Sequence, residues 1–74
     1  MIREDSNFTY TRSWEDIEDM LNKAEKKQNI HYTKMQQGSK KERIRHMRNY
    51  KALEGVVKAL RWTLGDRAIE HPLE

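Results

Sequence analysis

Gln36-Gln37-Gly38-Ser39-Lys40-Lys41-Glu42 is the stretch that decides the fold of this chain. Gly38 can take a positive φ without a Cβ clash, which suits the C′ position just past a helix. Ser39 with Glu42 three residues on has the form of a capping box, in which each side chain satisfies a free amide of a new helix. A stop signal beside a start signal predicts two helices, about residues 13–37 and 40–64, folded back on each other. The expected fold class is therefore all-α, an antiparallel two-helix hairpin.

Working outward, the first helix should begin at Ser13 as N-cap with Asp16 at N3. Glu15, Asp16, Glu18 and Asp19 then occupy the first turns, where the helix dipole favours negative charge. Its apolar seam reads Trp14, Ile17, Leu21, Ala24, Gln28, His31, Met35, alternating steps of three and four residues, with Gln28 and His31 weakening the second half. The second helix has the seam Ile44, Met47, Tyr50, Leu53, Val57, Leu60, Leu64 and ends at Gly65.

Beside that second seam lies another apolar edge of Ala52, Val56, Ala59 and Trp62, so this helix is apolar over a wider arc than one partner helix covers. Gly55 sits between the two edges. A mid-helix glycine costs about 1 kcal/mol relative to alanine, and a closely approaching backbone would explain it. Ala52, Gly55, Val56, Ala59 and Trp62 are thus expected to mediate self-association into a dimer or larger helical bundle. The competing reading is that an N-terminal arm covers this edge. Residues 1–12 form that arm, and Phe8-Thr9-Tyr10-Thr11-Arg12 alternates like a strand with no partner strand. An extended arm laying Phe8 and Tyr10 on the helices is the expectation. Residues 13–65 are the hairpin, and residues 66–74, with the only proline at Pro72, are expected to be a loose tail. The closing Leu73-Glu74 has the look of a vector-derived scar and is given no weight.

A chain of 74 residues holds one domain. Charged residues make up 36% and hydrophobic residues 35%, which leaves little for a core. At this size, burial at about 25 cal/mol per Å² and ordering entropy of about 1.5 kcal/mol per residue nearly cancel. Cysteine is absent, so no disulfide or thiolate metal site compensates. Association with a copy or a partner is the remaining device. No apolar run is long enough for a membrane span, and the first residues lack the apolar core of a signal peptide. A cytoplasmic protein without membrane contact is expected.

The net charge of +3 conceals a strong separation. Residues 13–25 carry Glu15, Asp16, Glu18, Asp19 and Glu25 against Lys23, a net −4. Residues 26–51 carry Lys26, Lys27, Lys34, Lys40, Lys41, Arg43, Arg45, Arg48 and Lys51 against Glu42, a net +8. Folding at Gly38 brings both limbs of the basic segment to one end, giving a cationic tip and an acidic base. Such a field attracts anions and accelerates encounter. Lys34, Lys40, Lys41, Arg43, Arg45, Arg48 and Lys51, with Tyr32 and Tyr50 for stacking, are the expected partner-binding residues. Their partner would be an acidic protein surface, nucleic-acid phosphate or a nucleotide. The plain alternative is a solvated charged end that keeps the protein soluble.

Other chemistry finds little support. His31 and His46 fall at similar height in a hairpin, but two imidazoles are short of the three or four ligands of a zinc site. They read as a histidine pair sensitive to pH in the range about 6–7. No nucleophile–base arrangement, Gly-rich phosphate loop or carboxylate pair in a cleft is present, so no catalysis and no cofactor are expected. Trp14 and Trp62 belong near the open end of the hairpin, as core residues or, if exposed, as partner anchors.

Tyr50-Lys51-Ala52-Leu53-Glu54-Gly55-Val56-Val57-Lys58-Ala59-Leu60-Arg61-Trp62-Thr63-Leu64-Gly65-Asp66, about a quarter of the chain, resembles the end of many short, highly charged helical-hairpin proteins of bacteriophages and mobile elements. The resemblance implies an accessory product, in the cytoplasm of a bacterial host cell, that acts on host machinery or antiviral defence by binding. Phage hairpin sponges that sequester cyclic-nucleotide signals between assembled helices have a comparable architecture. A nucleic-acid-binding module using the basic 40–51 segment and a sponge for an anionic nucleotide stand beside the inhibitor of a host protein or nucleoprotein.

Overall fold

A computed structural model of the protein describes residues 11–73. Two helices pack against each other, α1 (Trp14–Lys34) and α2 (Lys40–Thr63), and no strand occurs among the described residues. Cross-helix pairs run upward on one helix and downward on the other: Glu25 with Arg61, then His31 with His46. The hairpin is antiparallel as the turn chemistry demands. The expected arm residues Phe8 and Tyr10, and the reading in which they cover the outer edge of α2, lie outside the described residues.

Both helices start as their sequences specify. The Ser13 hydroxyl accepts from the Asp16 amide at 3.0 Å, and the Asp16 carboxylate accepts from the Ser13 amide at 3.3 Å. The same reciprocal pair links Ser39 and Glu42 at the start of α2, at 3.0 and 3.2 Å. The α2 terminus is a Schellman motif: Asp66 N–H donates to the Arg61 carbonyl and Gly65 N–H to the Trp62 carbonyl, with Gly65 at φ +90°.

The end of α1 departs from expectation. The helix stops at Lys34 rather than about residue 37, with Met35 as its C-cap. Gln36 and Gln37 continue in tighter turns, donating three residues back to Thr33 and Lys34. Gly38 is therefore not the C′ residue of α1. At φ +81° it makes the final reversal directly before the N-cap of α2. Tightening the last turn lets five residues, 35–39, swing the chain round.

The seam is thin. Only Ala24, at 5% exposure, and Val57, at 9%, are buried among the described residues. Ile17, Leu21, Gln28 and His31 of α1 and its C-cap Met35, with Ile44, Tyr50, Leu53, Leu60 and Leu64 of the second limb, are half-buried around them. Two expected seam residues are not. Trp14 is 65% exposed, because the antiparallel register sets it at or beyond the last residue of α2. Met47 is also exposed and lines an open groove with Met35, beside the turn. The tail is less loose than expected. Ile69 and Pro72 are half-buried, Ala68 N–H donates to the Asp66 carboxylate, and Ile69 N–H to the Asp66 carbonyl.

A Cβ on Gly38 would stand 2.7 Å from Glu42 Oε1, in a backbone region that L-residues avoid. Gly38→Ala should therefore destabilise the hairpin by about 1–2 kcal/mol in urea denaturation. An unchanged midpoint would contradict the role given to this turn.

Candidate functional site

The cationic tip is built by the first three turns of α2. Its capping box satisfies two of the free amides at the helix start, those of Ser39 and Glu42, and leaves those of Lys40 and Lys41. Glu42 accepts from the Ser39 amide and hydroxyl, which holds its carboxyl below the usual range, aided by Arg45 and His46. Anion attraction at the tip therefore rests mainly on side chains, with two helix-start amides beside them.

Those side chains divide between two flanks. Lys41, Arg45 and Arg48 line an open groove of about 540 Å³ with Ile44 at its floor. Lys40 and Arg43 border a smaller groove of about 280 Å³ with Met35, Ile44 and Met47. None of these five cations forms a salt bridge with a carboxylate among the described residues. Lys34 reaches the tip from α1 and acts electrostatically on His46. Lys51 does not join them: it pairs with Glu54 at 3.6 Å and borders the groove under the tail.

Tyr32 and Tyr50 meet across the two helices with ring centroids 5.7 Å apart and planes tilted by 44°. Tyr50 is half-buried in this contact and Tyr32 is exposed. The pair ties α1 to α2 and partly covers Tyr50, while the Tyr32 ring stays open to solvent.

The residues expected to mediate self-association stay outside the hairpin seam. Ala52, Gly55, Val56, Ala59 and Trp62 are all exposed, Val56 at 43% and Trp62 at 50%. Among the described residues no atom lies within 4 Å of where a Gly55 Cβ would be, although Gly55 borders the groove that Ile69 and Pro72 of the tail also line.

What sequence reasoning missed is the continuity of these two sets. Lys41, Arg45, Arg48, Ala52, Gly55, Ala59 and Trp62 follow one another at steps of 4, 3, 4, 3, 4 and 3, and every one is exposed. At 3.6 residues per turn this is one face of α2, pointing away from α1. Its first half is cationic and its second half is small and apolar. The signal was present in the spacing, but the charged and apolar halves were read as separate features.

Also unforeseen is the ion pair between Arg61 and Glu25, which bridges the helices on the side toward the base and raises the affinity of Arg61 for its proton. No group of three or more His, Cys, Asp or Glu side chains suited to a metal ion occurs among the described residues. No helix among them is long and apolar enough to cross a membrane. No family model, no curated protein and no solved structure matches the chain.

Because Glu42 releases its proton more readily folded than unfolded, the cap contributes fully above the ordinary carboxylate value of 4.5 and is lost as pH falls through the lowered one. The melting temperature should drop as pH falls below 4.5 for this reason. Glu42→Gln should remove part of that drop in a calorimetric pH series.

Proposed function

We propose that this protein is a non-catalytic interaction module whose outward face of α2 docks an acidic partner protein. The observation that carries the reading is the uninterrupted face from Lys41 to Trp62, exposed along its whole length. Its complement is an amphipathic helix with carboxylates at one end and apolar residues at the other. Cations of the tip would steer the encounter, and Val56, Ala59 and Trp62 would supply apolar burial. The phage-like C-terminal helix makes a component of a bacterial host cell the natural target, with inhibition as the outcome of occupying its acidic surface.

Duplex DNA offers phosphate to the cations, but it makes no use of the apolar half of the face. The Tyr32–Tyr50 contact also partly covers one of the two candidate stacking rings, Tyr50. An acidic helix uses both halves.

A synthetic helical peptide with four glutamates followed by leucines at heptad spacing tests this in a fluorescence-anisotropy titration. Binding should weaken about tenfold or more in the triple variant Lys41→Glu, Arg45→Glu, Arg48→Glu. It should weaken similarly in Ala59→Glu. If a 20-base-pair duplex binds instead, with a steep salt dependence and no effect of Ala59→Glu, the phosphate reading replaces this one.

A second reading, self-association through the apolar half, is favoured by the open space at Gly55 and a core of two buried residues. If a copy seats there, Gly55→Ala should lower the apparent mass in light scattering. In the dilute, unassociated chain the same substitution should add about 1 kcal/mol of stability through helix propensity. A strictly monomeric wild type across the accessible concentration range removes this reading and leaves the first intact.

A further inference from the structure

His31 of α1 and His46 of α2 meet through the same ring nitrogen. Their Nδ1 atoms stand 2.9 Å apart, with ring centroids at 5.2 Å and planes tilted by 36°. Both residues are half-buried between the helices, a turn or two from the reversal at Gly38. This is the polar cross-helix contact at the tip, whereas the Glu25–Arg61 pair lies toward the base.

Such a contact tolerates only some protonation states. With both rings neutral, one tautomer donates Nδ1–H and the other accepts. With one ring protonated, the cation donates to the remaining free nitrogen. With both protonated, two N–H groups carrying like charges face each other at hydrogen-bond distance, and the contact turns repulsive. The surrounding charges sharpen this. Lys34 on α1 and Arg45 on α2 are cations that oppose further positive charge at the pair, and Glu42 on α2 is the carboxylate that favours it. That carboxylate is committed to the Ser39 cap. Partial burial, His31, Arg45 and Lys34 together push the His46 imidazole below its ordinary value of 6.5.

We propose that the His31–His46 contact is a pH-sensitive latch, closed at neutral pH and opened by mild acid, which splays the cationic tip while the buried Ala24 and Val57 and the Glu25–Arg61 pair keep the rest of the hairpin closed. The sign follows from proton counting. Folded His46 binds fewer protons than unfolded His46 below neutrality. The contribution of the latch is therefore complete above about 6.5 and declines as pH falls toward the lowered value. This window lies above that of the Glu42 cap, so the two losses are separable. The device is independent of what the tip binds.

The test is a proton-NMR titration of the imidazole resonances in the wild-type chain, paired with melting curves between about pH 8 and 5. Two linked steps are expected, the second below 6.5, together with a falling melting temperature and broadening of Thr33 and Arg43 amide resonances as the second step proceeds. The double variant His31→Asn, His46→Asn should lose that part of the fall. Independent single-step titrations of the two rings at their ordinary value would overturn the proposal. So would an unchanged pH dependence in the double variant. The wild-type titration decides the matter even if the variant fails to fold.

Discussion

Reversal of the chain within five residues is the constraint on which the rest of this structure depends. It is met by a left-handed glycine directly before a reciprocally capped helix start, with φ +81° at Gly38 and Ser39 bonded both ways to Glu42. Neither element suffices alone. The glycine permits the turn in many directions, and the cap holds α2 to one of them. Once the direction is set, Ala24 and Val57 are buried, Tyr32 reaches Tyr50 and His31 reaches His46. The seam is too sparse to impose this register by burial alone. Polar and aromatic cross-helix pairs therefore do much of the work that a larger core performs elsewhere.

The helices were legible because their signals are local. Ser13 with Asp16, Ser39 with Glu42, and Gly65 are each decided by neighbours within four residues, and each stands where its sequence placed it. The end of α1 was less legible. Gly38 invites assignment as a helix C′ residue, yet the preceding turns tighten to satisfy a reversal that depends on where α2 begins. Trp14 and Met47 fit the heptad spacing but not the seam, because periodicity says nothing of where the partner helix ends or where the loop opens. The tail was misjudged for a similar reason. Its Asp66 turn is local and readable, but the half-burial of Ile69 and Pro72 depends on the flank of α2.

For the candidate site, the cations were readable as a group and their sorting was not. Composition puts nine basic residues between positions 26 and 51. The fold then separates them by helical phase. Lys51 is drawn to Glu54, Lys40 and Arg43 border a mostly apolar groove, and Lys41, Arg45 and Arg48 face outward together. Tyr50, counted as a stacking ring from its position among those charges, is instead partly consumed by Tyr32. Helical phase also links the basic and the small residues of α2 into one surface.

That surface has polarity, which a uniformly charged or uniformly greasy face lacks. A rod laid against it one way matches carboxylate to guanidinium and methyl to methyl along its length. Turned end for end, the same rod strands Lys41, Arg45 and Arg48 over hydrocarbon and its own acids over Ala59 and Trp62. Two-fold symmetric self-pairing along the entire strip suffers the same mismatch. A rod docked there as proposed would be oriented by which of its ends carries the carboxylates, as an arrow is by its head.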